Sequence, residues 1–401
     1  MIEVTERWKS AHERFILPES FIEIDCAVTE SGAQEQATAS GTNQEIFSQV
    51  GNILGLSETS VSRKYATFEH NLWALDGSRS ILPDSGPYEN AGYVSNIAQS
   101  GSVKLALPSV HTVPIPGVTI LWSSEFGEYP PVFTVAAYRG TSLVAETTVT
   151  DNTEARCLVD LEISEYDNIV VTVHNWSLPD HRARIEWVFL GHMLTFNKSN
   201  ILSYTHQQYG DLLTGEIPKY SIEFSVDNID GRWNPSNPSG MERYLSERQK
   251  VTVRYGLDID GTVEWIKGGT FYLSEWSAPS NGLEAHFVAR DVFEFLLNVD
   301  MASYVFGSLD FLAEWATDTL VPDSSMIAID AGLGNYTATY EGDSTAAEIV
   351  QKCANAACCI LRYGRDGFLH IEPLSKTHSG FTIPQSLSYS HPEITLSKPL
   401  K

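Results

Sequence analysis

The sequence predicts a mainly β protein with a smaller α+β part. Residues 201–297 alternate apolar and polar side chains in short runs, for example over 221–226, where every second residue is apolar. The Asp-Gly pairs at 230–231 and 260–261 separate such runs, and Asp followed by Gly suits the positive φ angles of tight turns. Alternation interrupted by turn signals predicts a half-buried antiparallel sheet, and a short helix over 290–297 is predicted to follow it.

The N-terminal residues 1–64 predict one helix, one strand and a linker. Apolar residues recur at helical spacing over 1–16, which indicates a short amphipathic helix. The run FIEIDCAV at 21–28 alternates and predicts a strand. Residues 30–62 are mostly small and polar, so a long exposed connection is expected there.

Residues 65–195 predict a separate β-sandwich, because strand-like runs follow one another with Asp, Gly, Pro or Asn at the breaks. The segments containing DGS near its start and RARIEWVFLG near its end resemble galactose-binding-like jelly rolls found in phage tail proteins. Trp176, His181 and Arg182 lie in its loop NWSLPDHRA, where an exposed ring and polar groups suit a cell-surface glycan or a receptor. A structural role or a protein contact is the alternative for this loop.

Residues 301–375 predict a small α+β domain. The run SLDFLAEWATDTL places its apolar residues on one helical face, with Ser308 as the expected N-cap. Thr345 and Glu348 have the spacing of a capping box at the start of a second helix, and a hairpin is expected to turn at 364–367. Residues 376–401 begin a further β pattern.

The charge of the chain limits its partners. Its 401 residues include 51 Asp and Glu against 26 Lys and Arg, a formal net charge of −25. Such a chain is not expected to bind nucleic acid stably or to adsorb to anionic lipid. We find no apolar run long enough to span a bilayer and no signal peptide, so no membrane anchor is expected.

The sequence contains no recognisable catalytic or metal-binding motif. The five cysteines have no metal-binding spacing, and the common hydrolase, phosphate-loop and zinc-protease motifs are absent. A calcium loop starting at Asp227 would need Glu six residues after Gly231, and Asn237 stands there. We therefore expect no enzyme activity, no metal and no cofactor.

Two blocks of the sequence resemble the baseplate hub and tail-associated structural proteins of long-tailed phages and prophage-derived tail machines. The first is DNIDGRWNPSNP, then VRYG, GGTFYLSEW and ARDVFEFL, and the second is DSTAAEIVQKCANAACCILRYGRDGFLHIEPL. The resemblance implies a hub-type β-barrel formed by the strand at 21–28 and by 196–300, with the 65–195 sandwich inserted into it. It also implies a homotrimer in the tail tip of a virion, assembled in the bacterial cytoplasm, with tail tube, distal tail and spike or fibre proteins as partners.

In a ring-shaped hub, carboxylates would be expected on the wall of the channel, where they repel DNA phosphates. The candidates are carboxylates on predicted polar faces of strands, namely Glu223, Asp227, Glu264, Glu275 and Glu284. Ordinary solvated surface charge is the alternative for each of them. Two further functions remain open at this point: a carbohydrate- or receptor-binding tail-tip protein that acts through the sandwich, and a cell-wall hydrolase.

Overall fold

The computed structural model describes residues 4–14, 18–30, 33–41, 53–55, 66–67, 101–124, 126–178, 183–209, 218–278, 282–291, 296–297, 299–318, 327–329 and 332–373. The strands of the first half are β1 (Ser20–Val28), β2 (Thr38–Gly41), β3 (Ala66–Thr67), β4 (Gly101–His111), β5 (Ile115–Leu121), β6 (Phe133–Arg139), β7 (Ser142–Val149), β8 (Arg156–Ile163), β9 (Tyr166–Val173), β10 (Arg184–Ile185), β11 (Trp187–Phe189) and β12 (His192–Phe196). The strands of the second half are β13 (Ile201–Tyr209), β14 (Lys219–Asp227), β15 (Lys250–Ile259), β16 (Thr262–Ser277), β17 (Glu284–Arg290), β18 (Asp300–Ser308), β19 (Ile327–Ile329), β20 (Thr337–Thr345), β21 (Cys359–Tyr363) and β22 (Leu369–Pro373). The α-helices are α1 (Glu6–His12), α2 (Ala33–Gln36), α3 (Leu309–Asp318) and α4 (Ala346–Ala356).

The protein is mainly β, as predicted, and its largest element is a seven-stranded antiparallel sheet, called the main sheet below. Its strand order is β12-β1-β15-β16-β17-β14-β13. Alternate residues of each strand point to one apolar core, where Phe224 stacks on Phe287 with 5.2 Å between ring centroids. Trp233, from the segment after β14, packs against Phe287 and covers part of this core.

The main sheet curls but is not the closed barrel that the resemblance implied. Phe196 of the edge strand β12 lies 6.3 Å from Phe287 between ring centroids, so this edge approaches β17 across the core. From the other edge strand, β13, the Tyr204 hydroxyl lies 2.7 Å from that of Tyr255 on β15. Strands β12 and β13 follow each other in the chain across the turn at 197–200. Within the described residues no ladder joins them, and a β-bulge interrupts the regular geometry at the start of β13.

Two further sheets, called the sandwich below, share one apolar core. The five-stranded sheet has the order β2-β4-β9-β6-β7, and the three-stranded sheet has the order β11-β5-β8. Trp122 and Phe133 meet edge to face in this core with 5.0 Å between ring centroids, and both are fully buried. The two sheets thus enclose one apolar core in this part of the chain.

The expected exposed connection at 30–62 is wrong for its described residues. Strand β2 pairs with β4 and forms an edge of the sandwich, and Ala33 in α2 is completely buried. Gln34 is also buried, and its side-chain amide is satisfied there. Its Nε2 donates to the carbonyl of Val188, and its Oε1 accepts from the amide of Leu190. Small residues in this segment allow it to lie close against the sandwich.

The chain returns to the main sheet earlier than the sequence suggested. Strand β12 (192–196) falls almost entirely within the range assigned to the sandwich, yet it pairs with β1 in the main sheet. The change of sheet takes place at Gly191, whose φ is +136°. A Cβ atom there would lie 2.4 Å from the carbonyl oxygen of Val28, so only glycine lets the two backbones approach this closely.

The C-terminal region, residues 299–373, combines α3 and α4 with two small sheets around a third core. The pairs are β18 with β20, and β22 with both β21 and β19. The predicted capping box at the start of α4 is confirmed, since Thr345 and Glu348 bond each other's backbone amides. The hairpin between β21 and β22 turns at 364–367 as predicted, and residues 376–401 lie outside the described residues.

Two local predictions in the main sheet have different outcomes. The Asp-Gly pair at 260–261 forms the hairpin between β15 and β16, with both residues at positive φ. The pair at 230–231 does not form a hairpin, because β14 pairs with β13 and β17, and a chain of turns follows it. Four Asx residues along that segment, Asp227, Asp230, Asn234 and Asn237, each accept the backbone amide hydrogen two positions on, which stabilises turns in place of a strand.

The helix predicted over 290–297 is wrong at its start. Arg290 is the last residue of β17, and the backbone amide of Asp291 still donates to the carbonyl of Tyr220 at 3.0 Å, while the Asp291 carboxylate accepts the amide of Tyr220 at 2.7 Å. Residues 292–295 lie outside the described residues, whereas Leu296 and Leu297 are helical as predicted, and Leu296 is buried in the C-terminal core. No helix among the described residues has both the length and the apolar character to cross a membrane.

Candidate functional site

The outer face of the main sheet carries two charged surfaces. On each strand the residues that alternate with the core residues point outward, and their register places them in rows across the sheet. One end of the face, on β14, β16 and β17, is acidic, and the other, on β1, β15 and β16, contains a cleft with several cations.

The acidic face, defined by Glu223, Asp227, Glu275 and Glu284, brings together four of the five predicted channel residues. Asp227 lies directly opposite Glu284 on neighbouring strands, and both Glu223 and Glu275 lie opposite Val288. Directly opposed like charges are unfavourable in a sheet. Glu275 forms an ion pair with Arg290 at 2.7 Å, so part of the negative charge of this face is compensated locally.

Glu264, the fifth predicted channel residue, is not part of the acidic face. It lies near the opposite end of β16, where its carboxylate accepts a hydrogen bond from Thr5 at 2.6 Å and lies 3.4 Å from the guanidinium of Arg7. These contacts hold the start of α1 against the β15–β16 hairpin, with Trp8 buried beside it. Its role in the structure is therefore to fix the N-terminal helix.

The predicted glycan contact does not contain the exposed ring that we expected. Trp176 is only 6% exposed and its indole donates to the carboxylate of Glu128 at 2.7 Å. The ring also lies 6.3 Å from Trp122 between centroids, inside the sandwich core. A sugar ring cannot stack on it in this arrangement, because neighbouring side chains cover both the ring and its N–H. His181 and Arg182 lie outside the described residues, so their role stays a prediction.

The cleft, which sequence analysis missed, has a volume of about 340 Å³ and lies between the main sheet and the turn at 364–367. Its cations are Lys250 and Arg254 from β15, Lys267 from β16, and Arg365 from the turn. The alternation of Lys250, Thr252 and Arg254 was visible in the sequence as a polar strand face. Without the fold, nothing indicated that the turn, more than a hundred residues away in the chain, would bring Arg365 to the same place.

A half-buried polar cluster lies next to the cleft. The hydroxyl of Tyr255 lies 2.7 Å from that of Tyr204 and 2.6 Å from Nδ1 of His206, while the guanidinium of Arg365 lies 5.6 Å from the centre of the Tyr255 ring. Burial, with the nearby charge of Arg365, lowers the pKa of His206 to about 4. The imidazole is therefore neutral at physiological pH and helps to fix the edge strand β13 against β15.

Among the described residues, no group of three or more His, Cys, Asp or Glu side chains is arranged to hold a metal ion. The opposed carboxylates Asp227 and Glu284 lie on the outer face and are not part of the cleft lining. Glycoside hydrolysis needs its two carboxylates across a substrate cleft. The hydrolase alternative thus gains no support from this pair.

No family model and no curated protein matches the chain. Among solved structures, it is similar to the 43 kDa tail protein of prophage MuSo2 from Shewanella oneidensis, at 16% identity and a TM-score of 0.30, covering 47% of this chain and 56% of that one. It is also similar to the tail protein from Neisseria meningitidis MC58, at 16% identity and a TM-score of 0.28, covering 43% of this chain and 44% of that one. The chain thus spans about half the length of these two proteins.

Proposed function

We propose that this chain is a structural protein of a phage or phage-like tail, a baseplate hub that joins the tail tube to the spike or fibre apparatus. In this proposal it acts in the virion as a ring-shaped homotrimer around the channel and not as an enzyme. The two sequence blocks that resemble hub proteins support it, since they lie in the main sheet and in the C-terminal region that packs against it.

The observation that carries the proposal is the pair of edge strands of the main sheet. Strands β12 and β13 each have one ladder partner among the described residues, β1 and β14 respectively. Strand β13 is nine residues long, and Leu202 on it is 57% exposed. A long edge strand with exposed apolar side chains favours pairing with another chain, and closed rings satisfy all such edges at once.

Size-exclusion chromatography with light scattering tests the trimer on the purified full chain. We expect a mass three times that of the chain, and we expect Leu202→Lys to lower the fraction of trimer because a charge would enter the contact at β13. Leu143→Lys is the matched control, since Leu143 is 53% exposed on β7, the edge strand of the sandwich. A monomeric wild-type chain, or loss of the trimer in the Leu143 variant alone, would contradict the proposal.

We further propose that the acidic face lines the channel of this ring. The support is the grouping of Glu223, Asp227, Glu275 and Glu284 on one outer face, where their charges add. Reversing Glu223 and Glu284 to Lys should leave the mass of the assembly unchanged and slow DNA release from the particle. Unchanged DNA release would leave solubility as the explanation of these charges.

A further inference from the structure

We propose that the cleft between the main sheet and the turn at 364–367 binds a phosphoryl group. This goes beyond a hub function, which requires contacts between proteins but no small anionic ligand. The cleft is formed where two regions of the fold meet, which is a common place for ligand sites, and its volume of about 340 Å³ suits a small ligand.

Three of its cations have no ion pair or hydrogen bond from their side chains to any described residue: Lys250, Lys267 and Arg365. This is unusual for a chain in which carboxylates outnumber cations by 51 to 26. Burial lowers the pKa of Lys250, and the charge of Lys267 lowers it further, against an opposing effect of Glu35. Burial therefore disfavours the charged form of Lys250, and a bound anion would offset this cost.

The fourth cation that lines the cleft, Arg254, has one donor without a partner among the described residues. Arg254 lies opposite Lys267 on the neighbouring strand and is held by ion pairs with Glu23 at 2.8 Å and Asp25 at 3.4 Å. Its guanidinium also lies 5.6 Å from the centre of the Trp265 ring. Its Nε–H is buried and has no hydrogen-bond partner among the described residues, although buried donors are normally paired.

The carboxylates of the cleft are already engaged. Asp25 contacts Arg254 and accepts a hydrogen bond from Thr195 at 2.7 Å. Asp366 lies 2.9 Å from Nε2 of His370. Among the described residues, neither carboxylate forms an ion pair with Lys250 or Lys267, the two lysines on the sheet side of the cleft.

The donor set favours phosphate over a single carboxylate. Two ammonium groups and a guanidinium can neutralise more than one negative charge, and Thr252 and Thr270 add hydroxyl donors between them. The turn is close to this surface, because a Cβ atom on Gly367 would lie 3.2 Å from Oγ1 of Thr270. Glycine at position 367 therefore lets the turn that carries Arg365 lie close to the sheet.

Isothermal titration calorimetry of the full chain with sodium pyrophosphate, at constant ionic strength, tests the proposal. We expect saturable binding of one pyrophosphate per chain, weakened about tenfold by Lys267→Gln or by Arg365→Gln, since each removes a charged donor. Glycerol 3-phosphate and citrate are the comparison probes. Binding of glycerol 3-phosphate would indicate a phosphate carried on a larger molecule, whereas preference for citrate would overturn the phosphoryl assignment in favour of carboxylates.

Lys104→Gln is the matched control, because it removes the same charge from β4 of the sandwich, away from the cleft. We expect it to bind pyrophosphate as the wild type does. Equal weakening by Lys104→Gln and Lys267→Gln, or no saturable binding by the wild type, would overturn the proposal. Thermal unfolding without ligand confirms that each variant is folded, and Lys267 is suitable because its side chain is exposed.

Discussion

The sandwich and the outer face of the main sheet differ in how they use their carboxylates. In the sandwich, two buried carboxylates accept hydrogen bonds from nearby groups: Glu128 from the indole of Trp176, and Glu186 from the amide and hydroxyl of Ser124. In the main sheet, the polar side chains on the outer face form an acidic surface at one end and a cationic cleft at the other. The difference is that these sandwich carboxylates are satisfied by internal hydrogen bonds, whereas those of the acidic face lie at the surface of the main sheet.

The largest effect is expected in the sandwich core. Trp122→Ala should lower the free energy of unfolding by about 3–5 kcal/mol, because it removes a fully buried ring that packs on Phe133 and Trp176. Urea denaturation measures the change. Val288→Ala, on the outer face of the main sheet, is the control and should change it by much less. Similar losses in unfolding free energy for the two variants would contradict the distinction between the sandwich core and the outer face of the main sheet.

A glycine at the junction tests how tightly the two regions are joined. Gly191→Ala should cost about 3 kcal/mol, because its Cβ would meet the carbonyl oxygen of Val28 and its φ is +136°. Gly140→Ala is the matched control, since Gly140 has a φ of +62° but nothing within 4 Å of its added Cβ. We expect about 1 kcal/mol there. Equal losses of stability in Gly191→Ala and Gly140→Ala would mean that the backbones at the junction move apart at little cost in free energy.

The internal pairing of the sandwich can be tested at its buried carboxylate. Trp176→Phe keeps an aromatic ring but removes the N–H that donates to Glu128, which is 2% exposed. Loss of a hydrogen bond to a buried charge should cost about 2 kcal/mol in urea denaturation. The double variant with Glu128→Gln should recover part of this loss. Full stability of Trp176→Phe would show that this bond contributes little to the sandwich.

The main sheet should respond to pH through His206. Because its pKa is about 4 in the folded protein, below its usual 6.5, the unfolded chain binds more protons between these values. Its contribution to stability is therefore complete above about pH 6.5 and is lost as the pH falls toward 4. Comparing thermal unfolding of the wild type and His206→Gln across this range isolates the effect. Parallel pH profiles for the two proteins would contradict the predicted role of His206.

The smallest expected effect is a gain in stability at the acidic face. Glu284→Gln removes one of two directly opposed carboxylates and should raise the free energy of unfolding by about 0.2–1 kcal/mol at low salt. The gain should shrink at high salt, because screening weakens the repulsion. Glu264→Gln is the contrasting change and should be destabilising, since Glu264 holds Thr5 and Arg7. A salt-independent gain in Glu284→Gln would rule out charge repulsion as its cause.

The sequence determined those features whose cause lies within a few residues. Alternation predicted the strands, Asp260 and Gly261 predicted the hairpin between β15 and β16, and Thr345 with Glu348 predicted the start of α4. Each follows from side-chain period, backbone preference or a local hydrogen bond. The outward position of Glu223, Asp227, Glu275 and Glu284 follows from the same period, although their grouping needed the strand order.

Only the tertiary structure decided which segments share a sheet and which charges share a surface. The small polar residues of β2 carried no signal that this strand would complete the sandwich, and β12 changed sheets at Gly191. Trp176 lay in a polar loop sequence, yet the core left room for its ring and Glu128 accepted its N–H. These strand pairs and side-chain contacts join residues that are distant in the chain. Their stability depends on tertiary packing, which a local sequence pattern does not contain. The cleft has the same origin, since Arg365 reaches Lys250 and Lys267 only when the C-terminal region packs on the main sheet.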